Sequence, residues 1–155
     1  MKETFGRPTR RAFCSHAVTL AVFSGAAILL EGCNSPTAPS NAPTLPTVNG
    51  TQAAGGITVT IDAASPLASV GSAALVQSSV GDFLVAHTAQ NTFSALTAIC
   101  THQTCTINGY ENQNFVCPCH GSTFDVNGHV LMGPAPAALR QYASQFSNGV
   151  LTITA

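Results

Sequence analysis

The chain reads as an all-β protein, an antiparallel sandwich or barrel, and three features of its second part carry that reading. Ile57-Thr58-Val59-Thr60-Ile61 alternates apolar and polar residues with the period of two that turns one face of a strand inward. The runs Phe83 to Thr88, Phe93 to Ile99 and Val150 to Thr154 are of the same kind, separated by polar and glycine-rich breaks. No helical run with convincing caps follows residue 56. Asp125-Val126-Asn127-Gly128-His129-Val130 adds a hairpin signal, because Asn-Gly supplies the positive φ values of a tight two-residue turn. With 155 residues and no internal repeat, the chain has room for one folded core and an N-terminal segment.

Charge narrows the function classes. Only 7% of residues are charged, and Lys2, Arg7, Arg10 and Arg11 account for four of the five basic ones. From Cys33 onward Arg140 alone opposes Asp62, Asp82, Glu111 and Asp125. A nucleic-acid partner needs a basic face that displaces phosphate counterions, so that class is excluded.

Taken in order, residues 1–33 form a targeting segment: a basic start followed by a largely apolar run from Ala17 to Leu30, short for a membrane span. Thr9-Arg10-Arg11-Ala12-Phe13 resembles the twin-arginine export signal, whose pathway carries folded, cofactor-loaded proteins. Leu30-Glu31-Gly32-Cys33 resembles the lipobox of bacterial lipoproteins, with Glu31 as the departure, and implies lipidation of Cys33. The competing expectation runs the apolar stretch back to Ala12, nineteen residues with His16 inside, and keeps it as an uncleaved membrane anchor. Residues 34–56 contain Pro36, Pro39, Pro43 and Pro46 among small polar residues and read as a linker. Extended, it would reach about 70 Å from the membrane at ~3.1 Å per residue.

The chemistry lies in two boxes. Cys100-Thr101-His102-Gln103-Thr104-Cys105 and Cys117-Pro118-Cys119-His120-Gly121-Ser122 hold four of the six cysteines. Thiolate and imidazole suit iron-sulfur clusters, zinc or copper rather than calcium or magnesium. Each box offers one Cys-His pair, Cys100 with His102 and Cys117 with His120, and leaves one further cysteine, Cys105 or Cys119. A zinc-bound structural module could use the two Cys-His pairs, but it gives no reason for the second matched cysteine pair.

The two boxes resemble those of the Rieske family, in its high-potential branch, over roughly residues 57–155. The resemblance implies a 2Fe-2S cluster with Cys100 and Cys117 on one iron and His102 and His120 on the other. It also implies a disulfide between Cys105 and Cys119, and a small cluster-binding subdomain at about residues 98–137 on a larger β base. Two thiolates neutralise an oxidised 2Fe-2S core, so an added electron meets little negative charge, and the potential lies at roughly −150 to +300 mV in this family. Ser122 is the expected hydrogen-bond donor to a cluster sulfur. High-potential relatives carry a tyrosine two positions after that serine; this chain has Phe124, which predicts a potential below the top of the range. Gly133-Pro134-Ala135-Pro136 resembles the family's proline loop, a stiff apolar lid.

The disulfide closes a loop worth roughly 3 kcal/mol and persists outside the reducing cytosol, in keeping with export. The free nitrogens of His102 and His120 are expected to face solvent, where loss of an electron and loss of a proton can be coupled. His87 and His129 fall outside the boxes and read as surface or half-buried strand residues.

The function expected is that of an exported, membrane-tethered one-electron carrier on the periplasmic side, an oxidoreductase component that is not catalytic alone. Its partners would be redox donor and acceptor proteins or membrane quinol. One version is the Rieske subunit of a quinol-oxidising cytochrome bc-type complex. Gln103-Thr104 stands where such subunits usually have Leu-Gly, which makes the tip polar and favours another partner. A second version is the small subunit of a periplasmic molybdenum oxidase. A ring-hydroxylating oxygenase is excluded, since no residues remain for its mononuclear iron domain.

Overall fold

The computed structural model describes residues 40–155, and the targeting segment, including Cys33, lies outside them. Among the described residues there are twelve strands and no α-helix. In chain order they are β1 (Thr47–Asn49), β2 (Thr51–Ala53), β3 (Gly56–Thr60), β4 (Ala73–Ser78), β5 (Gly81–Ala89), β6 (Thr92–Thr97), β7 (Gly109–Glu111), β8 (Asn114–Val116), β9 (Thr123–Phe124), β10 (Val130–Met132), β11 (Gln141–Ser147) and β12 (Val150–Thr154).

Eight of them form one sheet in the order β1-β4-β5-β6-β11-β12-β3-β2, curled into a nearly closed barrel. The other four form a small sheet, β10-β9-β8-β7. All pairings are antiparallel except that of β1 with β4, which is parallel from Thr47 opposite Leu75 to Asn49 opposite Gln77.

The central strands explain why the sequence there is a continuous apolar run instead of an alternating one. On β5, Phe83 and Val85 enter a core shared with Ile57, Val59, Leu151 and Ile153, inside the barrel. Their neighbours Leu84 and Ala86 point the other way, into a second core with Phe115, Phe124, Cys100 and Cys117. A strand buried on both faces has no polar side to show. The large sheet therefore supplies half of the core on which the two boxes rest.

Three expectations need correction. Residues 40–56 are not a free linker: β1 and β2 lie in that stretch, and Leu45 is buried in the core beside Cys100 and Cys117. Its prolines and threonines suit an edge segment as well as a coil, so composition misled. Strands β4 and β11 were not anticipated, because one is an Ala-rich run and the other alternates mainly polar residues. The Asn127-Gly128 signal does not make a two-residue turn. Only Gly128 takes a positive φ, +86°, and β9 and β10 are joined by a five-residue loop, Asp125 to His129. Gly128 packs against Leu139, whose amide donates to the Gly128 carbonyl at 2.9 Å, and that contact sets the loop's shape.

His87 is also more enclosed than expected, stacked on Phe93 with its Nδ1 2.9 Å from the Leu67 carbonyl. His129 is exposed, with Nδ1 2.9 Å from Asp125 Oδ2.

Candidate metal centre

The two boxes fold as near copies of each other. In the first, the Cys100 amide donates to the Cys105 carbonyl at 2.9 Å, and the Thr104 amide returns to the Cys100 carbonyl at 3.1 Å. In the second, the Cys117 amide donates to the Ser122 carbonyl at 2.8 Å, and the Gly121 amide to the Cys117 carbonyl at 3.1 Å. Both loops close through a left-handed residue, Thr104 at φ +52° and Gly121 at φ +70°. Glycine adopts that conformation freely, whereas a β-branched threonine adopts it at a cost. Between the boxes, β7 and β8 pair around Asn112 and Gln113, both at positive φ, the geometry that matches the twist of a tight hairpin.

These loops bring the six predicted residues together in pairs: Cys105 with Cys119, Cys100 with Cys117, and His102 with His120. Cys105 and Cys119 are joined in a disulfide. The sulfurs of Cys105, Cys117 and Cys119 lie within 4.8 Å of one another, but two of them are consumed by that bond, which leaves Cys117 as the available ligand of the three. Cys100 and Cys117 are free, buried thiols. The rings of His102 and His120 stand 4.8 Å apart, edge to face. The His102 Nδ1 is buried with no hydrogen-bond partner. A buried unpaired ring nitrogen is costly unless something else takes its lone pair.

The lid is pinned from both boxes. Ser122 is fully buried, and its Oγ accepts a hydrogen bond from the Ala135 amide at 3.1 Å, which leaves the hydroxyl proton free to be donated. The Thr101 hydroxyl donates to the Ala137 carbonyl at 2.7 Å. Gly133, at φ +97°, is held so close that a Cβ there would stand 2.5 Å from the Ser122 Cα. The tie through Thr101 gave no sequence signal; Gly133 did, as a glycine ahead of the first lid proline.

Burial pushes the Cys117 thiol above its usual range, and the neighbouring Cys100 thiol pushes the same way. Backbone amides of Cys119 and His120 hydrogen-bond its sulfur and pull it partly back. Such a thiol stays protonated until a metal displaces the proton, and then has two N–H donors ready for the thiolate. Two soft sulfurs and two imidazoles, one with an orphaned ring nitrogen, fit an iron-sulfur cluster with mixed ligands.

Comparison with known proteins agrees. Residues 59–143 match the Rieske [2Fe-2S] domain. The chain belongs to the Rieske family. Its cofactor is a 2Fe-2S cluster, and it is a Rieske electron-transfer protein.

The cytochrome b6-f complex iron-sulfur subunit of Trichodesmium erythraeum is 46% identical to this Rieske chain over 61 residues, 38% of this chain and 34% of that protein. The matched stretch thus spans about a third of that relative's length, 34%. Among solved structures, the plasma membrane Rieske protein of Synechocystis PCC 6803 is 35% identical, with a TM-score of 0.49 over 54% of this chain and 86% of that one. The ferredoxin of carbazole 1,9a-dioxygenase from Nocardioides aromaticivorans IC177 shares the fold at 17% identity, with a TM-score of 0.50 over 63% of this chain and 96% of that one.

Proposed function

We propose that this Rieske protein is an exported, membrane-tethered one-electron carrier, with Cys100 and Cys117 as ligands of one iron and His102 and His120 as ligands of the other. The observation that carries the assignment is that the two disulfide-linked loops hold a pair of free buried thiols, Cys100 and Cys117, and a buried His102 ring nitrogen with no hydrogen-bond partner. When bound, the cluster supplies one-electron transfer at a potential raised by its two neutral ligands.

The protein's own groups set the environment. The Ser122 hydroxyl accepts the Ala135 amide and keeps its proton free, so it could donate a hydrogen bond to the bound cluster. The Cys119 and His120 amides donate to the Cys117 sulfur. Each such bond favours the more negative, reduced state. The disulfide links the two boxes, and the Gly133–Pro136 loop is fastened to them through Ser122 and Thr101.

Cys33 would carry the lipid after export through the twin-arginine route, with an uncleaved helix as the alternative anchor; both place the domain on the periplasmic side of the membrane. Donor and acceptor would be redox proteins or membrane quinol. A second reading, the Rieske subunit of a cytochrome bc-type complex, draws support from the b6-f relative and from Leu131 and Met132, which are exposed on β10 beside the lid. Gln103 and Thr104, exposed and polar, weigh against it. The small subunit of a molybdenum oxidase is compatible with the same polar tip.

Iron and acid-labile sulfide analysis, with low-temperature paramagnetic resonance after dithionite, tests the assignment. Equal iron and sulfide with a rhombic signal that is lost in Cys100→Ser and altered in His102→Cys is the expected result. Zinc without sulfide would reduce the site to a structural module.

A further inference from the structure

The stretch that composition assigned to a tether is bound to the cluster end of the domain. The Ser40 amide donates to the Pro118 carbonyl at 3.2 Å, and Pro118 is the residue between Cys117 and Cys119. Thr44 makes an antiparallel bridge with Gly109. On either side of it the Tyr110 amide donates to the Pro43 carbonyl at 2.9 Å and the Leu45 amide to the Asn108 carbonyl at 2.7 Å. The Leu45 side chain is 5% exposed, in the core that also holds Cys100, Cys117 and Phe115. Gly109 makes room for the segment, since a Cβ there would lie 3.1 Å from the Ala42 Cβ. From Pro46, whose carbonyl accepts the Leu75 amide at 2.9 Å, the chain passes to β1 on the large sheet.

The first described residue, Ser40, is therefore bound at the second box. Six residues separate Cys33 from Ser40. Fully extended, the seven Cα steps between them span at most about 25 Å. The free linker of residues 34–56 would have allowed about 70 Å.

We propose that residues 40–45 are a strap that fastens the tether to the cluster end. The cluster is thereby held at the membrane surface, and its electron partner is one whose redox centre lies in or on the membrane. The proposal rests on the anchoring reading above, and both anchors considered there fix the chain at nearly the same residue. A carrier that swings far from the bilayer to meet soluble partners is the arrangement it excludes.

The full-length, cluster-loaded protein, bound to liposomes that carry a gadolinium-chelate lipid, provides the test. Electron-spin relaxation of the reduced cluster is compared with that of a variant with a Gly-Ser spacer of about twenty residues inserted before Ser40. The expected result is strong enhancement in the natural chain and a severalfold loss on insertion. Equally weak enhancement in both, with the protein still on the liposomes, would overturn the strap while leaving the anchor standing. A chain with no lipid on Cys33 that also fails to sediment with liposomes defeats the anchor, and the proposal with it. Amide exchange gives a readout independent of the membrane: the Leu45 and Tyr110 amides should exchange far more slowly than exposed ones, and free exchange at both would show the strap open and sink it.

Discussion

The strands β4, β5 and β6 at the centre of the large sheet run six to nine residues, whereas β7 to β10 around the two boxes have only two or three. The long strands bury apolar side chains on both faces, and that burial suffices to hold them. Strands of two or three residues have too few ladder bonds and too little buried area to stand alone. The cluster end shares the outer core through Phe115 and Phe124 and adds discrete ties: one disulfide, the Thr101 and Ser122 hydrogen bonds to the lid, and the bound segment Ser40 to Leu45. A site that must hold a cofactor between two short loops gains from ties with direction, which hydrophobic contact lacks.

That contrast predicts different failures for equal losses of energy. In the barrel, Leu151→Ala removes a fully buried side chain and should cost about 3 kcal/mol, lowering the melting temperature while the cluster spectrum keeps its shape. At the other end, replacing both Cys105 and Cys119 by serine opens a loop of 14-residue separation and should also cost roughly 3 kcal/mol. There the loss should appear first as release of iron and sulfide at temperatures where the far-ultraviolet circular dichroism of the β base is unchanged. If iron loss and unfolding coincide in both variants, the two regions are not separately held.

Much of this was legible in the sequence, for a physical reason that differs between regions. The all-β class followed from periodicity, and the strand at Val150 to Thr154 has the bounds that its alternation gives. The Cys105–Cys119 disulfide was legible through the resemblance of the two boxes to a known family, and Cys100, His102, Cys117 and His120 stood out as candidate ligands because metal chemistry admits so few residue types at such close spacing. The strap was not legible, since Pro43, Thr44 and Leu45 bind mainly through backbone groups and one side chain, which leave no periodic trace. Nor was the positive φ of Thr104, because threonine there contradicts local preference and the fold overrides it.

A finer test exchanges one hydrogen bond at a time near the site. Ser122→Ala should lower the midpoint potential by about 40 mV, the one-electron equivalent of roughly 1 kcal/mol for a single hydrogen bond. Phe124 is fully buried in the core that contains Cys100 and Cys117, so Phe124→Tyr places a hydroxyl in that region and should raise the midpoint by a similar amount. Redox titration with both proteins fully loaded decides; an unchanged potential in both would remove hydrogen bonding from the account of how this end is tuned.

Thr104→Gly relieves a left-handed threonine and should stabilise the first box by about 1 kcal/mol, less what glycine gains in the unfolded chain. Slower loss of the cluster on heating is the measure. A faster loss would mean that the threonine side chain contributes a contact that outweighs its strain.

The smallest expected effect is at the loop between β9 and β10, where polar ties again replace burial. Asp125 is partly buried, which by itself raises its carboxyl pKa. His129 and the amides of His129 and Asn127 outweigh that and hold it below the ordinary value of 3.8. Its Oδ1 accepts both amides at 2.8 Å. A carboxylate whose folded pKa is depressed contributes stability above its unfolded pKa, near 3.9, and loses it as pH falls through the folded value. Asp125→Asn should therefore destabilise the protein at neutral pH by about 1 kcal/mol at most, and the gap between variant and natural chain should close below about pH 4. Denaturant titrations across that range measure the gap directly. A difference that persists unchanged into acid would show that the loop depends on the shape of the aspartate and not on its charge, which would make this corner of the cluster end resemble the barrel more than its neighbours.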